Sequence, residues 1–252
     1  DVLFCVHEVR YKDYAAYAAE NPGADGSWKG QSTDGFIPAN RTGDHPVIRV
    51  SWDDAQAFCA WLSKKEGRRY RRPTDREWSV AVGIGQQETW QSGITPATVS
   101  RNPGEFPWGS AWPPPKGAGN YSDESRHAKA AGENMTWLEG YDDAFPTTAP
   151  VMSFEPNEAG LYDLGGNVWE WVEDWYDHAK KDRVSRGGSW RDNERGNLLS
   201  SIRHRRTPDD RLNHYGFRVI LAPDGEAIVP VDTSSPALSS PAFDPQQIPD
   251  FR

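Results

Sequence analysis

The chain has 252 residues, a formal net charge of −9, 36% hydrophobic residues and a mean hydropathy of −0.80. That length fits one large domain or one domain with appendages. No apolar run reaches the roughly 18 residues a membrane-spanning helix needs, which excludes a membrane span, and an acidic balance speaks against nucleic acid, whose partners carry a basic excess. Twelve tryptophans, nine tyrosines and nine phenylalanines indicate a core in which single aromatic rings bury large areas and the backbone is free to be irregular.

In chain order, VLFCV reads as a short strand, and a helix follows around Tyr11 to Ala19, stopped by Asn21-Pro22-Gly23. HPVIRV (45–50) is strand-like. Ser51 with Asp54, and Thr74 with Glu77, each form a capping-box pattern opening a helix. The first helix carries Ala55, Phe58, Cys59 and Leu62 at helical spacing as far as Gly67; the second carries Trp78, Ala81 and Val82 as far as Gly83. From 84 to 160 periodicity fades into Gly, Pro, Asn and Trp. So long a stretch is either disorder or a set of loops fixed by something other than a hydrogen-bond ladder. The tryptophans favour fixed loops, with bound cations as one fastener. YGFRVIL (215–221) closes the domain as a strand. The Pro/Ser-rich residues 223–252 read as a tail or linker, so the domain spans 1–222. The chain opens at Asp1, with neither Met nor a signal-peptide pattern, and is expected to be a piece of a longer bacterial chain, soluble in the cytoplasm or associated with the surface.

Cys5 and Cys59 each lie in an apolar run, which points to buried thiols, with a single bridge as the alternative. Charge is concentrated late. Residues 183–218 hold nine arginines and no lysine against Asp192, Glu194, Asp209 and Asp210, a local +5 that leaves −14 on the rest. Several of these arginines are expected to pair with the acidic remainder. In the run Arg203-His204-Arg205-Arg206, strand alternation places Arg203 and Arg205 on one face and His204 and Arg206 on the other; one pair would face the acidic body and the other a binding surface.

The ordered motifs HEVRYKDYAAYA, HPVIRVSWDDAQAFCAWL, RRPTDREWSVAVG, FPWG, GAGNY, APV, GLYDLGGNVWEW, RVSRGGSW and YGFRV occupy residues 5–221. This series resembles the formylglycine-generating enzyme (sulfatase-modifying factor) family. The resemblance implies an α+β, C-type-lectin-like fold, loop-rich with little regular secondary structure. It also separates three functions. The copper oxidases of the family use two cysteines just after the RGGS(W/Y) turn; the matching positions here are Asp192 and Asn197, whose oxygen-bearing side chains do not replace thiolates for Cu(I). The ergothioneine-type sulfoxide synthases bind iron through histidines of a separate domain, and the six histidines here show no HxxxH pair. Neither copper nor iron is therefore expected, and the oxidase alternative requires metal ligands that this chain does not show.

The third branch keeps the fold and presents the late segment as a binding face, as in variable proteins of diversity-generating retroelements or modules fused to signalling chains. On that reading the face comprises Trp190, Arg191, Asp192, Asn193, Asn197, Arg203, His204, Arg205, Asn213, His214 and Tyr215, and the partner is a protein, peptide or glycan. Ser189 reads as a turn residue and not as a nucleophile. The resemblance further implies two structural calcium sites. One uses the side chains of Asn120 and Asp143 with the carbonyls of Tyr121 and Phe145; the other uses the carbonyls of Gly165, Gly166 and Val168 with the Glu170 carboxylate. Oxygen-only donors suit Ca²⁺. The alternative is that Asn167 and Glu170 simply hydrogen-bond a turn.

Overall fold

A computed structural model describes residues 2–30, 43–130 and 135–223, with the backbone of 32–33 and 37–38. The expected tail beyond Pro223 lies outside the described residues. The elements are β1 (Leu3–Phe4), α1 (Tyr11–Glu20), β2 (Ser32–Thr33), β3 (Ile37–Pro38), α2 (Trp52–Glu66), β4 (Tyr70–Arg71), α3 (Asp75–Ala81), α4 (Glu124–Lys129), β5 (Trp169–Trp175), β6 (Arg183–Arg186), β7 (His204–Arg206), β8 (Tyr215–Gly216) and β9 (Ile220–Leu221). This is the loop-rich α+β architecture anticipated above.

The two long capping signals work as read. The Asp54 amide donates to Ser51 Oγ at 3.1 Å while the Ser51 amide donates to Asp54 Oδ2 at 2.8 Å, and Thr74 and Glu77 exchange the same pair of bonds at 3.2 and 2.7 Å. These reciprocal bonds satisfy amides that the first helical turn leaves open. Gly67, at φ +65°, ends α2 in the left-handed region. α1 and α2 meet through aromatics: Phe58 stacks on Tyr14 with centroids 5.8 Å apart and meets the edge of Tyr17 at 5.6 Å.

Two sheets organise the rest. One runs β7-β6-β5-β8, with β5 antiparallel to β6 (Glu170 opposite Arg186) and parallel to β8 (Trp169 opposite Tyr215). The other runs β1-β9-β4. YGFRVIL therefore makes two short strands, β8 and β9, each serving a different sheet. HPVIRV joins neither sheet. It is buried and held by single bonds, such as Val47 N to Val9 O at 2.8 Å, and Arg49 at φ +56° bends the chain out of extended geometry. α4, inside the aperiodic 84–160 stretch, gave no sequence signal beyond its cap: six residues, ESRHAK, are too few to display an apolar period, although Asp123 Oδ1 accepts from the Arg126 amide at 3.1 Å. The loops around it are fixed by rings. Phe106 stacks on Trp108 at 4.8 Å, and Tyr141 Oη both donates to Gly119 O at 2.6 Å and accepts from Gly119 N at 3.1 Å.

Candidate functional site: the turn after β6 and the loops beneath it

β6 delivers the chain into Gly187 and Gly188, at φ +99° and +80°, a turn in which a side chain at either position would be strained. Ser189 then folds its hydroxyl back onto Asp192 Oδ2 at 2.6 Å, which makes it the turn residue expected above. The same oxygen accepts from Trp169 Nε1 on β5 at 2.9 Å, while Asn197 Nδ2 approaches Asp192 Oδ1 at 3.5 Å. The 3-10 turn Arg195–Leu198 supplies that return. Burial raises the Asp192 pKa above its usual value, and the Ser189 and Trp169 hydrogen bonds oppose the rise. The two cysteines are elsewhere, free and buried in the main aromatic core, with burial pushing each thiol up to about 12.

The eleven residues expected on a binding face separate by burial. Arg191 and Arg205 are exposed; Asp192, Asn193, Asn197, His204 and His214 are half-buried. Trp190, Arg203, Asn213 and Tyr215 are interior, which corrects the expectation for them. Trp190 is wholly enclosed, packs with Ile48 and Val168, and donates Nε1 to Asn213 O at 3.3 Å. Tyr215 lies inside because β8 is a covered edge of the sheet, against Trp171 at 5.0 Å. Arg203 precedes β7 and turns inward, where it bonds Glu88 at 2.6 and 2.8 Å and Asp75 Oδ2 at 3.0 Å. It therefore does not share a face with Arg205, which stays exposed 3.8 Å from Asp182; Arg206 is exposed as well.

Beneath the turn, the loops carry two groups of buried oxygen atoms. In the first, Asn120 donates Nδ2 to Thr147 O at 2.6 Å while its Oδ1 is buried with no hydrogen-bond partner. Asp143 accepts from the Tyr121 and Phe145 amides at 2.9 and 2.7 Å, yet neither it nor the adjacent Asp123 has an ion-pair partner among the described residues. Burial, with Asp123 adding to it, pushes Asp143 up to about 8. In the second group, Glu8 is fully buried and accepts from Asn167 Nδ2 at 2.7 Å and Val168 N at 3.1 Å. Burial raises its pKa well above the carboxylate range, and Asp163 and Glu170 raise it further. Asp163, pushed up to about 6, keeps Oδ1 unpartnered. Glu170 is engaged on both oxygens by Arg218 at 2.9 and 2.8 Å and by Trp78 Nε1 at 3.0 Å, so any cation there shares it with a guanidinium. Three buried carboxylates thus face one arginine. The carbonyls of Tyr121, Phe145, Gly165, Gly166 and Val168 accept no hydrogen bond among the described residues.

Residues 4–223 match the sulfatase-modifying factor enzyme 1-like domain. The chain belongs to that family. It is 36% identical over 184 residues to "Inactive C-alpha-formylglycine-generating enzyme 2" of Bos taurus, covering 69% of this chain and 50% of that one. It is 30% identical over 223 residues to the formylglycine-generating enzyme of Thermomonospora curvata, covering 80% and 63%. The chain therefore spans about half the length of the curated relatives it matches. Among solved structures, Treponema denticola variable protein 1 superposes with a TM-score of 0.56 at 22% identity, over 86% of this chain and 82% of that one, a likeness of fold.

Within the family framework, Asp192 and Asn197 are the positions to which the resemblance assigns the copper cysteines, and the structure brings them together. What stands there is a half-buried carboxylate–amide pair. In the loops beneath, Asn120 Oδ1 and Asp163 Oδ1 are the unpartnered buried oxygens open to a hard cation, while among the described residues no three acidic, histidine or cysteine side chains gather as a metal cluster. Glu8 and Asp163 were missed in the sequence, where an acid in HEVR or LYDLG carries no signal of its own. Among the described residues no helix is long and apolar enough to cross a membrane.

Proposed function

We propose that this chain is a non-catalytic, calcium-stabilised binding module of the sulfatase-modifying factor family, presenting Arg191, Asn193, Asn197, His204, Arg205 and His214 to a protein, peptide or glycan partner. The observation that carries the reading is the Asp192–Asn197 pair. A soft cuprous ion prefers thiolates; here its place is held by two hard side chains, Asp192, which is tied to Trp169 and Ser189, and Asn197, which approaches Asp192, and the only two cysteines are core residues. The relative described as inactive is consistent with this. Calcium enters through the unpartnered oxygens: a fourteen-unit acidic excess outside the arginine segment, part of it buried in loops without ladders, is relieved by a divalent cation.

Two measurements test the proposal. Incubation with Cu(I) or Fe(II), followed by bound-metal analysis and thiol-dependent oxygen uptake, is expected to give neither stoichiometric metal nor turnover; both together overturn the binding-module reading. EDTA is expected to lower the melting temperature by several degrees, since about 1–2 kcal/mol of linked binding energy moves a domain of this size by that much. An unchanged melt, with no metal found by elemental analysis, removes calcium from the account.

A further inference from the structure

Beside the exposed edge strand β7 lies an open cleft of about 350 Å³ whose lining includes Tyr176, Asp182, Arg205, Arg206 and Asp210. Its volume is at the lower end of small-molecule sites, roughly 300–1,000 Å³. The charges around it are balanced but poorly paired. Arg203 also borders it, yet its guanidinium is consumed in the interior by Asp75 and Glu88. That leaves two exposed guanidinium groups and two carboxylates. Arg205 lies over the Tyr176 ring at 4.9 Å and only 3.8 Å from Asp182 at its closest. Neither Arg206 nor Asp210 has an ion-pair partner among the described residues.

A purely anionic ligand would meet Asp182 and Asp210, and a purely cationic one would meet Arg205 and Arg206. A ligand carrying both charges a few ångströms apart suits both signs at once, and each new pair is a charge-assisted hydrogen bond of the stronger kind. We propose that this cleft is a seat for a free α-amino acid, its carboxylate on Arg206 and its ammonium between Asp182 and Asp210. Tyr176, with Arg205 over its ring, forms one wall of the seat. The seat adjoins the proposed binding face through His204, which also lines the cleft and whose ring stacks on Trp169 at 5.1 Å; Trp169 in turn bonds Asp192. The proposal deepens the binding-module reading and rests on it.

The test uses the full chain. Each standard amino acid is added singly at about 10 mM and the melting temperature followed, a concentration at which even millimolar affinity is visible as stabilisation. The strongest is then titrated beside the amine that lacks its carboxylate and the acid that lacks its amine. At least one amino acid is expected to raise the melt, and either charge-deleted probe to bind at least about tenfold more weakly, the loss of one charge-assisted contact. Arg206→Ala is expected to weaken the amino acid by a similar factor. Asp210→Asn is expected to weaken the amino acid while leaving the acid-only probe unweakened; Arg206 is exposed, and at half-buried Asp210 the substitution keeps the side chain's size, so the fold is left intact. No shift with any amino acid, or equal affinity for the acid-only probe, overturns the proposal. Either result leaves the binding-module reading standing, whereas stoichiometric copper with turnover defeats that reading whatever the cleft binds.

Discussion

Two sets of arginines lie in the same 36-residue stretch and behave in opposite ways. Arg186, Arg203 and Arg218 are buried and end on carboxylates: Arg186 and Arg203 share Asp75, Arg203 also holds Glu88, and Arg218 holds Glu170. Arg191, Arg195, Arg205 and Arg206 are exposed. Arg195 lies over Phe106 at 5.6 Å and Trp112 at 5.9 Å, an aromatic ledge open to solvent at Trp112. In the inner set Arg186 and Arg203 reach α3 through Asp75 while Arg218 holds β5 through Glu170, and the outer set makes the surface. The difference teaches that composition located the basic segment while burial decides which of its charges serve stability and which are available to a partner.

Breaking an inner pair is expected to have the largest effect. Arg203→Ala leaves Glu88 buried without its cation and Asp75 with Arg186 alone, a loss of about 3–5 kcal/mol, read as a collapse of the denaturant midpoint; a shift comparable to that of an outer arginine would erase the distinction. Trp190→Ala is expected to be of the same order, about 3–5 kcal/mol, because a wholly buried indole leaves a cavity. A mild effect there would place Trp190 back on the binding face.

A pH scan sharpens the boundary between the sets, where His204 sits. Burial, helped by Arg206, lowers its pKa from 6.5 to about 4. The unfolded chain therefore takes up a proton that the folded chain refuses between those values, and stability contributed by the neutral ring is present above pH 6.5 and lost as pH falls toward about 4. In His204→Asn the denaturant midpoint is expected to fall less steeply over that window; identical slopes in both proteins would show that His204 titrates normally. The smallest effects belong to the outer set. Arg191→Ala and Arg195→Ala should each move stability by no more than about 0.5 kcal/mol, and larger losses in chemical denaturation would mean these side chains also hold the fold.

Much of the scaffold was legible because its signals are local. The capping boxes of α2 and α3 span four residues each, and the apolar spacing of Ala55, Phe58, Cys59 and Leu62 needs only one helix to be recognised. The arginine fates were not legible, since Arg203 meets Asp75 and Glu88 across 128 and 115 residues of chain. Glu8 was missed for the same reason: Asn167 and Val168, its partners, are 159 and 160 residues away. At the candidate site, the replacement of two thiolate positions by Asp192 and Asn197 could be read by alignment of the turn. Only the fold shows that these two side chains meet, and that Trp190 and Tyr215 beside them face inward.

The central claim is that the turn is kept and the redox chemistry is absent. It is tested most directly by titrating Cu(I) into the native chain and into the double variant Asp192→Cys/Asn197→Cys under identical conditions, with oxygen uptake followed in the presence of a thiol. The account predicts that only the double variant takes up copper stoichiometrically, because the geometry is present and only the thiolates are lacking. One copper per native chain with sustained oxygen uptake would contradict it.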